Sequence, residues 1–305
     1  MGAFGRKALS LLGFAGMALL AAQPARAEIC DLTAGTTSCT INDGMFSIDY
    51  QHPTGTGVID PFLRLQAKGA EQGYNTSARS YPLPAPGPKT QFDEKSDPNY
   101  TRNLPTSELG TQTIDGKTYV EFFLDINEPG SNVGEKFKIT LDQLEIYVSN
   151  TPNLDAYSSN GSNNASGSLG STGGGGTATK IYDLDNNGNG DNWVNLSYLI
   201  SGQGSGSSDM SFLLDASLFE GYEYVYLYSQ FGDDTPMDKQ GSKKKEDYKY
   251  ESQAGFEEWF SNGNGPTTTS GETSGETTGD VPEPASLLLL GVGALSICIS
   301  RRWKN

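Results

Sequence analysis

Apolar residues in this chain form two long continuous runs, one at each end, and only short runs between them. The end runs cover residues 8–22 and 285–300. Between them no stretch repeats apolar residues with the 3.6-residue period of an amphipathic helix. Short runs rich in aromatic and β-branched residues recur instead, separated by Gly and Asn turn signals. The chain between the two ends is therefore expected to be all-β.

The strongest strand signal is residues 223–231, which read EYVYLYSQF. Residues 136–141 alternate apolar and polar side chains as a half-buried strand does, and residues 144–148 are expected to follow after a turn. The other expected strands are 46–50, 118–126, 179–184, 193–199 and 210–214. Many short strands joined by turns predict a single β-sandwich, jelly-roll-like in its connections, over residues 28–260.

Three polar segments interrupt this pattern and are expected to be long loops. Residues 82–106 contain six prolines, residues 158–176 are rich in Ser, Gly and Asn, and residues 232–251 include three consecutive lysines. Residues 261–280 carry a short repeat of Gly, Glu, Ser and Thr with no apolar group to bury, so we expect a flexible stalk there.

Charge and histidine content exclude several classes of function. The 305 residues include 21 basic and 37 acidic side chains. Six of the basic residues and only one of the acidic residues lie in the two ends, residues 1–27 and 282–305. Residues 28–281 therefore carry a net charge of −21. This acidity argues against nucleic acid as a partner and is interpreted as a solvated polyanionic surface. The single histidine, His52, excludes sites that need two histidine ligands.

The N-terminus has the three parts of a secretory signal. Arg6 and Lys7 precede the apolar run 8–22, and Ala25 and Ala27 are the small residues that signal peptidase accepts. Cleavage is expected before Glu28, and the chain is expected to be exported.

Two cysteines lie close to that cleavage site. Cys30 and Cys39 are nine residues apart at the start of the exported part, where an oxidising compartment favours a disulfide between them. Cys298 lies in the C-terminal apolar run and is not expected to pair with them.

The C-terminus combines a short apolar span with terminal cations. Residues 285–300 would give a helix of about 24 Å, short for a bilayer but sufficient when flanking arginines extend to the interface. Arg301 and Arg302 follow the span, which places the tail in the cytoplasm and the rest of the chain outside. We expect a transmembrane helix that anchors the chain transiently in the inner membrane.

Immediately before this span stand Pro282, Glu283 and Pro284. Their order, followed by the apolar span and by Arg301 and Arg302, resembles the PEP-CTERM sorting signal of bacteria that make extracellular polysaccharide. The resemblance covers residues 281–305. It implies recognition and processing by an exosortase, and delivery of the exported part to the cell surface or the matrix.

The exported part has a second, broader resemblance. Six pieces in fixed order are similar to an ectodomain found on PEP-CTERM exported proteins of unknown function, and together they span roughly 115–260. The pieces are FLDINE (123–128), LDQLEIY (141–147), YDLD (182–185), GSGSSDM (204–210), YVYLYSQFG (224–232) and GFEEW (255–259). This resemblance implies no reaction and assigns no catalytic residue.

One segment has the spacing of a calcium-binding loop. Its oxygen-bearing side chains stand at loop positions 1, 3, 5, 7 and 9, with Gly at position 6, as at the start of an EF-type loop. They are Asp183, Asp185, Asn187, Asn189 and Asp191. Val194 stands where the loop requires a bidentate Glu, so an outside ligand such as Asp209 would be needed. A β-hairpin turn, for which Asn-Gly is a strong signal, is the competing interpretation.

No other motif predicts catalysis. Glu257 and Glu258 are adjacent and should point to opposite faces of a strand, so they do not form a glycosidase pair. Tyr222, Tyr224, Tyr226 and Tyr228 share one face, either stacking on sugars or packing in the core. We expect a non-enzymatic structural or adhesive protein of the extracellular polysaccharide matrix. A calcium-dependent carbohydrate-binding module is the alternative, and a glycoside hydrolase is a distant one.

Overall fold

The computed structural model describes most of the exported part of the chain. The described residues are 28–49, 59–78, 91–130, 135–159, 167–185, 191–199, 208–232, 250–253 and 255–263. The chain divides into two units, Met1–Gly265 and Pro266–Asn305, and all described residues belong to the first. The predicted signal peptide, transmembrane helix and sorting signal lie outside the described residues, as do His52 and the lysine triplet.

The described structure is all-β, as the sequence predicts. It contains eighteen strands and two short 3-10 helices, at Thr106–Glu108 and Ala216–Phe219. The strands are β1 (Ile29–Asp31), β2 (Ser38–Ile41), β3 (Gly44–Ser47), β4 (Pro61–Leu65), β5 (Lys68–Gly69), β6 (Glu71–Tyr74), β7 (Leu104–Pro105), β8 (Gly110–Ile114), β9 (Lys117–Ile126), β10 (Lys138–Ser149), β11 (Ala156–Ser158), β12 (Ser168–Gly170), β13 (Thr179–Asp183), β14 (Trp193–Ser197), β15 (Met210–Asp215), β16 (Tyr224–Phe231), β17 (Ser252–Gln253) and β18 (Glu257–Phe260).

Two seven-stranded sheets contain most of these strands. In the first sheet the order is β1-β14-β10-β16-β6, with β13 on β10 and β7 on β16. The long strand β10 pairs with β14 along its first half and with β13 along its second, while β16 covers its other edge. All these pairings are antiparallel except that of β1, which runs parallel to β14.

In the second sheet the order is β2-β3-β15-β9-β18-β4, with β8 on β9. Strand β9 pairs with β15 on one edge, and with β8 and then β18 on the other. Two small sheets complete the fold, one formed by β11 and β12 and one by β5 and β17.

The main hydrophobic core takes residues from both large sheets. Phe122 and Phe212 from the second sheet belong to the same buried cluster as Ile146 and Leu227 from the first. The rings of Tyr182 on β13 and Phe212 on β15 are 4.9 Å apart, and the Trp259 indole N–H donates to the Ser229 hydroxyl at 3.1 Å. These contacts bury one face of each sheet, which is the main source of folding free energy in such a protein.

A disulfide joins the edges of the two sheets. Cys30 on β1 and Cys39 on β2 are bonded, with Cα atoms 6.1 Å apart. Since β1 belongs to the first sheet and β2 to the second, the bond fixes the start of the exported part across both sheets.

Some predicted boundaries were wrong. The turn expected between residues 141 and 144 is absent: β10 is continuous, with a register shift between Leu141 and Gln143 where a bulge keeps both halves facing the core. Part of the loop expected over 158–176 is strand β12, whose Leu169 is buried. Ordered contacts also continue past residue 260, because the Ser261 hydroxyl donates to the carbonyl of Glu121.

No helix long and apolar enough to cross a membrane occurs in the part of the chain that the structure describes.

Candidate functional site

The acidic loop after β13 is the strongest candidate site from the sequence, and the structure places three of its five residues. Asp183 accepts hydrogen bonds from Lys180 Nζ at 2.9 Å and from the Asp185 backbone N–H at 3.0 Å. Asp185 accepts from the backbone N–H of Asn192 at 2.8 Å. Asn187 and Asn189 lie outside the described residues. Backbone N–H donors to aspartate oxygens are typical of a tight turn.

Negative charge accumulates around Asp185. Its side chain is 4% exposed, and burial raises its pKa to about 8, assisted by the nearby Asp191, Asp142 and Asp183. A carboxyl in this position gains from a proton or from any cation that approaches it. Among the described residues no group of three or more His, Cys, Asp or Glu side chains has the arrangement to hold a metal ion.

The structure places Asp209, the outside ligand expected from the sequence, beside the end of β9. The Asp209 carboxylate accepts a hydrogen bond from the backbone N–H of Ile126 at 2.7 Å. This contact ties the segment before β15 to the end of β9 in the second sheet, whereas Asp183 belongs to the first. Asp209 therefore serves the strand pairing of the second sheet in this structure.

Asn192 connects the acidic loop to the start of the exported part. Its side-chain carbonyl accepts from the backbone N–H of Glu28 at 2.7 Å, and its side-chain amide donates to the carbonyl of Leu184 at 2.7 Å. The backbone N–H of Trp193 donates to the carbonyl of Glu28 at 3.3 Å. The residue that the sequence predicts as the mature N-terminus is thus held beside the acidic loop, a proximity that no local sequence pattern indicates.

The tyrosines of β16 pack inside the protein. Tyr226 and Tyr228 are 0% and 1% exposed, in a second hydrophobic cluster on the outer face of the first sheet. The ring of Tyr157 on β11 stacks on Tyr228 with centroids 3.9 Å apart, and Leu169 on β12 belongs to the same cluster. The β11–β12 hairpin covers this face, so Tyr226 and Tyr228 do not form a sugar-stacking surface.

The most unusual chemical feature is the number of buried acids. Eleven carboxylic side chains are less than 9% exposed, and no lysine or arginine among the described residues is buried to that extent. They are Glu71, Glu94, Glu121, Asp125, Glu128, Asp142, Glu145, Asp185, Asp209, Glu257 and Glu258. Buried acids of this kind must be paired with a cation, hydrogen bonded or protonated.

Two of the eleven form an ion pair with a basic side chain of the described residues. Glu145 accepts from Lys180 Nζ at 2.8 Å, and the Glu145 carboxylate also accepts from the Tyr147 hydroxyl at 2.5 Å. Glu258 is bridged by Arg64, with 2.6 Å between Nη2 and Oε1. The Arg64 guanidinium also lies over the ring of Tyr100, 3.3 Å from its centroid.

A second group of buried acids lies where the two sheets meet. Glu71 on β6 and Glu257 on β18 are both 0% exposed, and their carboxyl groups face each other across the two sheets. Glu128 lies nearby, with both oxygens accepting from the backbone N–H of Gln253 at 3.0 and 3.1 Å. Burial raises the pKa of all three, and raises that of Glu128 to about 7.

This facing pair does not resemble a glycosidase site. Glu71 and Glu257 have no exposed surface, so a sugar has no access to them, whereas catalytic carboxylates must flank a bound substrate. Within β18, Glu257 and Glu258 point to opposite faces, as expected, because Glu258 pairs with Arg64 and Glu257 faces Glu71.

Comparison with known proteins adds information at the C-terminus. Residues 280–302 match a family model described as the PEP-CTERM protein-sorting motif. No curated protein and no solved structure gave a match. The matched segment contains Pro282, Glu283, Pro284, Arg301 and Arg302. The chain therefore carries a PEP-CTERM sorting motif, the signal of an exosortase substrate that is exported and sorted through the membrane to the surface.

Proposed function

We propose that this protein is a non-enzymatic structural or adhesive component of the bacterial extracellular polysaccharide matrix. The observation that carries the proposal is the sorting motif at residues 280–302, because it directs an exported chain to processing at the cell envelope. The described part of the chain supports the proposal, because its all-β fold is cross-linked by a disulfide. Such a fold suits long exposure outside the cell.

The route to the surface follows from the two ends. Signal peptidase removes residues 1–27, and the apolar residues 285–300 hold the chain in the inner membrane until the exosortase acts near Pro282. Residues 28–260 form a single β-sandwich with jelly-roll-like connections, and the stalk separates that sandwich from the membrane. The core shared by the two large sheets supports the sandwich arrangement.

Intact mass spectrometry of the protein isolated from its source tests this route. We expect a mature chain that begins at Glu28 and lacks the residues after the Pro-Glu-Pro segment. A Glu283→Ala variant is the matched control, and it should accumulate with its C-terminal tail attached. A wild-type chain that keeps residues 285–305 would contradict processing.

Retention on the native matrix tests the adhesive role separately. The mature protein should sediment with the purified polysaccharide of its source and remain in solution when the polysaccharide has been digested. A protein that stays in solution in both cases would count against an adhesive role while leaving processing unaffected.

A calcium-dependent carbohydrate-binding module is the second candidate. It is favoured by the surplus of negative charge around the buried Asp185, which a divalent cation would neutralise. In that case millimolar calcium should raise the melting temperature of the protein, and an Asp185→Asn variant should lose the shift. An unchanged melting temperature would eliminate the calcium-dependent version.

A further inference from the structure

Glu28, where the exported part is expected to begin, lies beside the acidic loop. The backbone N–H of Glu28 donates to the Asn192 side-chain carbonyl at 2.7 Å. The next residue, Ile29, opens β1 and pairs with Trp193 at the start of β14. The nitrogen of Glu28 is therefore positioned by its own contact with Asn192 and by the strand pairing that begins at the next residue.

Asn192 links the nitrogen of Glu28 to the acidic loop. It is 1% exposed, and its backbone N–H donates to Asp185 while its side-chain amide donates to the carbonyl of Leu184. Its side-chain carbonyl is the acceptor for the backbone N–H of Glu28. One buried side chain thus joins the nitrogen of Glu28 to the acidic loop through short hydrogen bonds.

Several acidic side chains lie in the region around Asn192. The carboxylates of Asp183, Asp185, Glu28 and Asp43 all act on the buried phenol of Tyr182, and Asp191 and Asp142 act on Asp185. In the described part of the chain the basic partner in this region is Lys180, which is already shared between Glu145 and Asp183. A positive charge beside Asn192 would interact favourably with these carboxylates.

Removal of the signal peptide would supply such a positive charge. Hydrolysis of the peptide bond between Ala27 and Glu28 consumes one water, leaving a carboxylate on Ala27 and an α-ammonium group on Glu28. A neutral amide with one N–H becomes a group with three donors and a positive charge, since a free α-amino group has a pKa of about 7.7–8.0. The change happens at the nitrogen that Asn192 already binds.

We infer that the α-ammonium group of Glu28 is an internal ligand of the acidic loop, bound through Asn192, so that signal-peptide removal adds stability to the exported fold. The inference goes beyond the proposed matrix role and depends on the predicted cleavage before Glu28. It also gives the loop a cation that is part of the chain, independent of calcium.

The test compares the full exported protein with a variant in which two glycines are inserted between Ala27 and Glu28. Cleavage after Ala27 still occurs in the variant, but it leaves the ammonium group two residues away from Asn192. We expect the insertion to lower the melting temperature by about 2–4 °C. The Glu28 amine of the native protein should also react about tenfold more slowly with an acylating reagent, measured on the N-terminal peptide by mass spectrometry. This rate separates the ammonium contact from a general effect on folding.

An Asn192→Ala background completes the experiment. Because that substitution removes the acceptor, the glycine insertion should then change the melting temperature by less than 1 °C, even though the background itself is less stable. Equal acylation rates with equal melting temperatures would overturn the inference, and so would a mature chain that starts at a residue other than Glu28. Neither result bears on retention by the matrix, which tests the proposed function.

Discussion

Two groups of buried carboxyls in this protein keep their place in the fold by different means. Glu145 and Glu258 each contact a basic side chain, from Lys180 and Arg64. Glu71 and Glu257 face each other where the two sheets meet. A third acid, Glu128, interacts electrostatically with both of them. In the first group a basic side chain compensates the charge of each carboxylate. The second group is compatible with the fold only while it retains protons.

The largest expected consequence of this difference is a loss of stability as the pH rises. Burial raises the pKa of Glu121, Asp125 and Glu128 to about 7 and that of Asp185 to about 8, and it also raises those of Glu71 and Glu257. The folded chain therefore holds protons that the unfolded chain releases at about pH 4. The stabilisation is fully present below that pH and is lost as the pH rises through 7 to 8.

One such group changes the free energy of unfolding by about 1.4 kcal/mol per pH unit, so the combined loss between pH 5 and pH 8 should exceed about 3 kcal/mol. Urea denaturation at the two pH values measures it through the midpoint. Equal midpoints at the two pH values would show that cations from solution neutralise these carboxyls. Repeating the urea denaturation with calcium would identify that case.

Removing the cation from a compensated pair should have the next largest effect. Lys180→Met leaves the Glu145 carboxylate, which is 2% exposed, without its basic partner, and should lower the free energy of unfolding by about 3 kcal/mol at pH 7. Lys180→Arg keeps the charge and is the matched control. A loss below about 1 kcal/mol for Lys180→Met would mean that the Tyr147 hydroxyl and the Gly167 backbone N–H suffice to hold the charge.

A smaller loss is expected for Glu258→Gln on β18. The substitution keeps the shape of the side chain and removes the charge that pairs with Arg64, so the free energy of unfolding should fall by about 1–2 kcal/mol. Chemical denaturation at pH 8 measures the change. An unaltered midpoint would indicate that the contact of Arg64 with Tyr100 dominates its energetics.

The same substitution at the neighbouring residue should have the opposite sign. Glu257→Gln replaces a carboxyl that must stay protonated with an amide of the same shape, and so should raise the free energy of unfolding by about 1 kcal/mol at pH 8. At pH 5 it should change little, because the native carboxyl is then already neutral. A loss of stability at both pH values would contradict the assignment of the Glu71–Glu257 contact as proton-dependent.

The sequence predicted the central strands of this fold but only part of their surroundings. The runs that became β9, β15 and β16 are rich in aromatic and branched residues, and burial on a sheet face is what such runs require. The sequence predicts a turn between residues 141 and 144, whereas in the structure a bulge keeps Asp142 and Gln143 within β10. The four residues of β18 include two acids and give no strand signal by themselves.

The buried acidic side chains show most clearly what a local sequence pattern cannot predict. The net charge of −21 was interpreted as a solvated surface, yet eleven acidic side chains of the described residues are buried. Whether a glutamate is solvated depends on which distant strand faces it, as Glu257 depends on Glu71 nearly two hundred positions earlier. The contact between Glu28 and Asn192 has the same origin, since it joins residues 164 positions apart.

Strand β18 imposes an order on how this protein can be made. It pairs with β9 on one side and β4 on the other, and its Trp259 fills space between the sheets, yet it is the last strand of the described chain. While residue 260 has not yet crossed the membrane, the edges of β4 and β9 that β18 covers are unpaired and open to association with other chains. The domain can close only after nearly all of it has crossed the membrane.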